Sequence, residues 1–325
     1  MPLGVIQLAF DPVLQLGDTA SVRYETIGLA VVLFLALLSA AWIGSRTPSV
    51  GPYVPAPGLR VDDLVFAGVG AVPGAIVGGR LGTVLDHFEF YRANPAAILD
   101  PNQGGLTLTL AVPFGLFTGA VIARLLGAPV GRWLHATALP LLFLLAGGKL
   151  VGVLGATGQG APSDLGWATA YTGPGPWGSL APALPSHPAQ AYEAIATAIV
   201  IVVVMMLVEL GAFPGRNGGA FLLGIGLWAT ARAVVAITWR DRAVAGQLGM
   251  DQVICIAIAV SCLVLLLALG GAAKARGSRR QRDGEADAVA PGEVPAPMPQ
   301  KPAPPPTPAD PSAPEWPDPE ARPRI

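Results

Sequence analysis

Seven separate stretches of this chain are each long and apolar enough to cross a lipid bilayer, and that pattern leaves little room for a water-soluble fold. A hydrocarbon core of about 30 Å takes about 20 helical residues. The runs cover 26–44, 61–85, 106–127, 133–155, 190–212, 218–238 and 250–270. A backbone in hydrocarbon must satisfy its own hydrogen bonds, so each run is expected to be a helix. The expected fold is therefore all-α, a polytopic membrane protein with seven transmembrane helices. Composition agrees, with 52% of the residues apolar and 13% charged.

The first run follows Asp11, Asp18 and Glu25 rather than lysines, so it reads as a retained span and not as a cleaved signal. Seven spans put the termini on opposite sides of the membrane. With the N-terminus outside, the inner segments hold Arg46, Arg60, Arg124, Arg132, Arg216 and the basic cluster 274–282, while Arg23, Arg92, Arg240 and Arg242 lie outside. That excess predicts the N-terminus outside and the C-terminus cytoplasmic. The membrane domain is expected to span 1–272. Residues 273–325 read as a basic, then Pro-rich cytoplasmic tail, disordered beyond about 283 because it carries almost no side chains that build a core. Two polar segments, 86–105 and 156–189, fall outside, and the second is long enough for a lid or arm.

Several classes of function drop out. A net charge of -1 provides no basic face for nucleic acid. Cys255 and Cys262 lie on one helix face about 10 Å apart, too far to bridge. His87, His135 and His187 stand in three different places and do not form a metal set; His87 and His135 read as ordinary solvated or capping histidines. No metal and no cofactor is expected. Gly70, Gly74, Gly78 and Gly82 form a smooth ridge for close helix packing. No longer period suggests inverted repeats, and no polar path crosses the inner half, so a solute transporter is disfavoured.

Charge inside the spans is the positive signal, since an ionised group near the bilayer centre costs on the order of 3 kcal/mol. Four such residues occur: Arg80, Lys149, Glu193 and Arg232. At 1.5 Å per residue, the span limits place all four within about 10 Å of the outer boundary. Arg23, Tyr24, Thr107, Thr109, His187, Gln190, Tyr192, Asp251 and Gln252 stand at the same depth. Three cations against one carboxylate predict an anion-seeking cavity, and a phospholipid headgroup phosphate is the commonest anion there.

The motifs Gly78-Gly79-Arg80-Leu81-Gly82, Gly104-Gly105, Gly148-Lys149-Leu150 and His187-Pro188-Ala189-Gln190-Ala191-Tyr192-Glu193 occur in this order, after an opening Val22-Arg23-Tyr24. In order and spacing they resemble the bacterial prolipoprotein diacylglyceryl transferase family over roughly residues 15–272. The resemblance implies a multi-pass enzyme of the bacterial plasma (cytoplasmic, inner) membrane that acts in lipoprotein biosynthesis. It would move the diacylglyceryl group of phosphatidylglycerol to the lipobox cysteine thiol of a preprolipoprotein and release glycerol phosphate. Its partners would be phosphatidylglycerol, preprolipoprotein signal peptides and the bilayer.

On that resemblance Lys149 and Arg80 would hold the phosphate, Arg232 or Arg240 would be the second essential cation, and Glu193 with Tyr192 would orient the network. Gln190 and Tyr24 would complete the substrate site. The family histidine proposed as a base falls in Leu106-Thr107-Leu108-Thr109-Leu110, where Thr109 replaces it. The fourth-span arginine is Lys149 here, a point charge without the guanidinium fork. Either His187 or a substrate thiolate carries the proton chemistry, or the chain is a non-catalytic or repurposed phospholipid-binding protein on the same scaffold.

Overall fold

The computed structural model describes residues 4–17, 19–47, 58–100 and 103–289. Seven of its helices are long and apolar enough to cross a membrane: Tyr24–Arg46, Val61–Asp86, Leu108–Leu125, Val130–Gly155, Ala189–Glu209, Gly219–Thr238 and Met250–Ala272. The corresponding regular helices are α1 (Tyr24–Arg46), α2 (Val61–Asp86), α4 (Leu108–Leu125), α5 (Val130–Val151), α6 (Ala189–Glu209), α7 (Gly219–Val235) and α8 (Met250–Val289). A short helix, α3 (Phe88–Ala93), lies between α2 and α4. Large apolar side chains stand outward along the spans: Phe34, Val69, Phe117 and Leu267 are 64–69% exposed. In water such faces would associate; in a bilayer they meet acyl chains.

Two kinds of packing hold the spans. α2 and α4 form the most extensive helix pair, through the glycine ridge. A Cβ on Gly70 would strike Ile122, one on Gly74 the Phe114 carbonyl and Thr118, and one on Gly78 the Leu110 carbonyl. Small residues let the two backbones approach this closely. The other group is a side-chain core built by α5, α6, α7 and α8, with Leu142, Val204, Phe221, Ile225, Trp228, Cys255 and Cys262 buried together. α1 lies antiparallel on α5, with Gly28 against Val151 and Gly44 against Trp133. α2 touches α1, and α4 touches α5, over only a few residues. A cleft of about 710 Å³ opens between these pairs, lined by Leu29, Leu33, Ala75, Leu116 and Leu145.

Small β ribbons, which the all-α expectation leaves out, add to the helices. β1 (Ile6–Leu8) pairs in parallel with β4 (Thr169–Tyr171), tying the N-terminal segment to the loop before α6. β2 (Val13–Leu16) and β3 (Ala20–Arg23) form a hairpin that runs into α1, and β5 (Ala243–Ala245) pairs with β6 (Leu248–Gly249) before α8.

The chain divides into two units, Met1–Ala273 and Lys274–Ile325. In the second, residues 274–289 continue the helix α8. The expectation for 290–325 lies outside the described residues.

Candidate functional site

Lys149 closes the last turn of α5, Glu193 lies in the second turn of α6, and Arg232 is in the last turn of α7. Thr109 opens α4 and Asp251 opens α8. Five helix ends therefore deliver these side chains to one end of the bundle. Glu193 joins two cations: Oε2 lies 3.1 Å from Lys149 Nζ, and Oε1 pairs with Arg232 Nη1. Arg232 Nη2 lies 2.6 Å from Asp251 Oδ2, and its Nε donates to Thr109 Oγ1 at 3.3 Å. The Thr109 hydroxyl in turn donates to Asp251 Oδ1. The ring of Trp239 covers the network, 4.3 Å from Arg232 Cζ and 5.3 Å from Lys149 Nζ.

The members differ in access. The side chains of Arg232 and Glu193 are 5% and 2% exposed, whereas that of Lys149 is 23% exposed and lines the apolar cleft. Two cations face two carboxylates, so the network is neutral. The expected excess of three cations over one carboxylate does not survive, because Asp251 joins the cluster and Arg80 is engaged elsewhere. Arg80 donates from Nε to Ile98 O at 2.7 Å and from Nη2 to Asp100 O at 2.8 Å, with the Tyr91 ring 5.4 Å away. These are half-buried carbonyls of the segment after α3, and a guanidinium with five donors suits them. Arg80 also lines a separate cavity with Ile76, Val77, Val84 and Leu99.

Arg240 is likewise taken up by a loop: Nε donates to Gly160 O and Nη2 to Ser186 Oγ, both at 2.6 Å. Of the two arginines left open by the sequence, Arg232 belongs to the Glu193 network and Arg240 staples segment 156–189. Gln159 holds that segment from within, donating to Thr169 O at 3.1 Å and accepting from Ser179 Oγ at 2.9 Å. His187 is tied to it by its backbone, through Gly160 and Ala161. The His187 Nδ1 is buried without a hydrogen-bond partner, and its ring centroid is 6.1 Å from that of Tyr192.

Tyr192 Oη accepts from Trp167 Nε1 at 2.6 Å, and buried Gln190 donates from Nε2 to Tyr171 Oη at 3.2 Å. Burial pushes the Tyr171 phenol up to about 12, so it stays protonated near neutral pH. Tyr24 is 38% exposed at the head of α1, held by its backbone N–H to Pro12 O at 3.0 Å. Sequence reasoning gave no role to its neighbour Glu25, which accepts from Thr157 Oγ1 at 2.5 Å and lines the cleft with Lys149. Asp251 was placed at this depth by the sequence but left out of the charge count, and Trp239 was given no role. The usable signal was a carboxylate at a helix start, at the depth of the buried cations.

Among the described residues no group of three or more His, Cys, Asp or Glu is placed to hold a metal ion. A partly open ammonium at the head of a bilayer-facing apolar cleft, backed by a buried ionic network, suits an amphiphile with an anionic head. The class is thus a multi-pass membrane protein with a charged site at one end of its spans.

The family model described as prolipoprotein diacylglyceryl transferase matches residues 17–268, and the chain belongs to that family. It is 31% identical over 236 residues to the phosphatidylglycerol–prolipoprotein diacylglyceryl transferase of Beijerinckia indica, covering 70% of this chain and 82% of that protein. Proteins of the same name from Cupriavidus metallidurans and Nitrobacter hamburgensis are also 31% identical. The matches cover 67% and 69% of this chain, and 77% and 74% of those proteins.

Proposed function

We propose that the chain transfers the diacylglyceryl group of phosphatidylglycerol to the lipobox cysteine of a prolipoprotein in the bacterial plasma membrane. In this reading the N-terminus and the charged network face outside, and the C-terminus is cytoplasmic. The observation that carries it is Lys149, held 3.1 Å from Glu193 where the apolar cleft meets the polar end of the spans. The acyl chains lie in the cleft and the headgroup phosphate is received by Lys149.

The cysteine sulfur attacks the glycerol carbon that bears the phosphate. The C–S bond forms as the C–O bond breaks, and the electron pair leaves with glycerol phosphate. Negative charge grows on the phosphate as it departs, and an ammonium fixed beside Glu193 stabilises that charge more than the starting diester. The thiol proton leaves before or during attack, since the thiolate is the nucleophile, and passes through water to the released glycerol phosphate, whose new terminal oxygen is the base the reaction itself creates. Glu193 and Asp251 hold Arg232 from two sides, so Arg232 acts as the fixed post that keeps Glu193 aimed at Lys149. His187, Gln190 and Tyr192 shape the approach from segment 156–189, and Arg80 and Arg240 hold the two external loops.

The test is expression in cells depleted of their own transferase, with a lipobox reporter followed by mass spectrometry. The expected outcome is gain of the diacylglyceryl mass, lost in Lys149→Ala. An unmodified reporter, with the protein present in the membrane, counts against the reading. A second reading, a phospholipid-binding protein without turnover, is favoured by one observation: Thr109 is committed to Asp251 and Arg232, and a threonine hydroxyl takes up no proton near neutral pH. Retained anionic lipid without modified reporter is its signature.

A further inference from the structure

At the opposite end of the spans a second cationic pocket stands apart from the network just described. It has a volume of about 210 Å³ and is lined by Trp42, Arg46, His135, Leu139, Val208 and Arg216, among others. Arg46 ends α1, His135 lies in the second turn of α5, and Arg216 sits in the loop between α6 and α7. Along α5, Lys149 is 14 residues beyond His135, a rise of about 21 Å. The two sites therefore address opposite faces of the membrane.

The cations differ from those near Lys149 in having no carboxylate. Neither Arg46 nor Arg216 is in any ion pair found among the described residues, and no acidic side chain lines the pocket. Arg46 is stacked on the Trp42 ring at 4.0 Å, which orients its charge without neutralising it. The buried Nδ1 of His135 has no hydrogen-bond partner. Arg216 is held at φ 42°, a left-handed backbone that a residue with a side chain rarely adopts. Two exposed, unneutralised guanidiniums beside an unpartnered imidazole nitrogen present a cluster of donors that suits an anion rich in acceptor oxygens.

The surroundings identify its chemistry. Trp42 is 56% exposed toward the bilayer, the position of an interfacial aromatic. Leu139 and Val208 make the inward wall apolar. The volume is below that of a whole-ligand site, which fits a headgroup whose chains lie along the outer helix faces. We propose that this pocket binds the phosphodiester headgroup of an anionic phospholipid from the leaflet opposite the Lys149 cleft.

Native mass spectrometry of the full chain, released from nanodiscs of phosphatidylcholine containing phosphatidylglycerol, tests this. Arg46→Gln/Arg216→Gln is expected to retain one phosphatidylglycerol fewer than wild type, and the double lysine variant to keep it. Singly, Arg46→Gln and Arg216→Gln should each weaken retention roughly fivefold. These single variants keep the test available should the double variant fail to fold. Lys149→Ala should remove a different lipid, additively with the double variant; that arm bears on the cleft alone. An unchanged lipid count in the double variant overturns the proposal. So does displacement of the lipid by added inorganic phosphate, which would assign the pocket to a free anion.

Discussion

The two ends of the helical bundle carry similar cations in opposite states. Near Lys149 every charge is matched: Glu193 and Asp251 neutralise Lys149 and Arg232, and Thr109 and Trp239 close the gaps. Among the described residues no carboxylate lines the pocket of Arg46 and Arg216, and both arginines are exposed. The difference follows from solvation. A buried charge far from water needs a partner, whereas an exposed guanidinium at the boundary is served by water or by a lipid phosphate. A cation in a membrane helix is thus read from its partners as much as from its depth.

The largest test of this contrast is Glu193→Ala, which leaves Lys149 and Arg232 to face each other without their shared carboxylate. Loss of one partner from a buried pair costs roughly 3–5 kcal/mol. Thermal unfolding in detergent should show that loss, and transfer to a lipobox reporter should vanish. Lys149→Ala should leave the fold nearly intact yet lower transfer by about 100-fold or more, the usual scale for one preorganised charge stabiliser. Lys149→Arg should recover part of it, because the charge is kept while the fork requires a wider seat.

Gly74→Val moves the comparison away from charge. Its branched side chain would run into the Phe114 carbonyl and Thr118, and overpacking of this kind costs about 1–3 kcal/mol. Looser α2 and α4 should appear as faster proteolysis in 95–107 and lower melting temperature. Arg240→Ala removes two bonds to segment 156–189, an effect of about 1–3 kcal/mol felt locally. Hydrogen exchange at Gly160 and Ser186 should rise while the spans keep their protection. Smallest of all, Arg46→Gln should shift stability by less than about 0.5 kcal/mol, as for surface changes generally. A large destabilisation there would mean that the two ends are not the opposites they look.

The spans were legible because hydropathy is a local property: twenty apolar residues must be helical in hydrocarbon wherever the rest of the chain goes. Gly70, Gly74, Gly78 and Gly82 were legible for a similar reason, since a period of four fixes one helix face. Glu193 and Lys149 stood out as charges among apolar neighbours. Asp251 was seen at the same depth but not as their partner, because a carboxylate at a helix start has an ordinary explanation in the helix dipole. Its partner Thr109 is 142 residues away, a distance no pattern in the sequence spans. Arg80 misled for the opposite reason: its depth matched the other cations, yet its guanidinium turns to carbonyls 17–20 residues along the chain.

What the sequence determined by itself is the number of spans, their approximate limits and the depth at which charge enters them, because these depend on composition within one segment. Which charges meet depended on how each helix is rotated about its axis and which neighbour it packs on. Those rotations are set by Val204, Trp228 and Leu142 interlocking in one half and by bare glycine backbone in the other. Close packing between helices is a property of pairs of surfaces, so only the tertiary structure could assign Arg232 to Glu193, Arg240 to a loop, and Arg46 to the Trp42 ring.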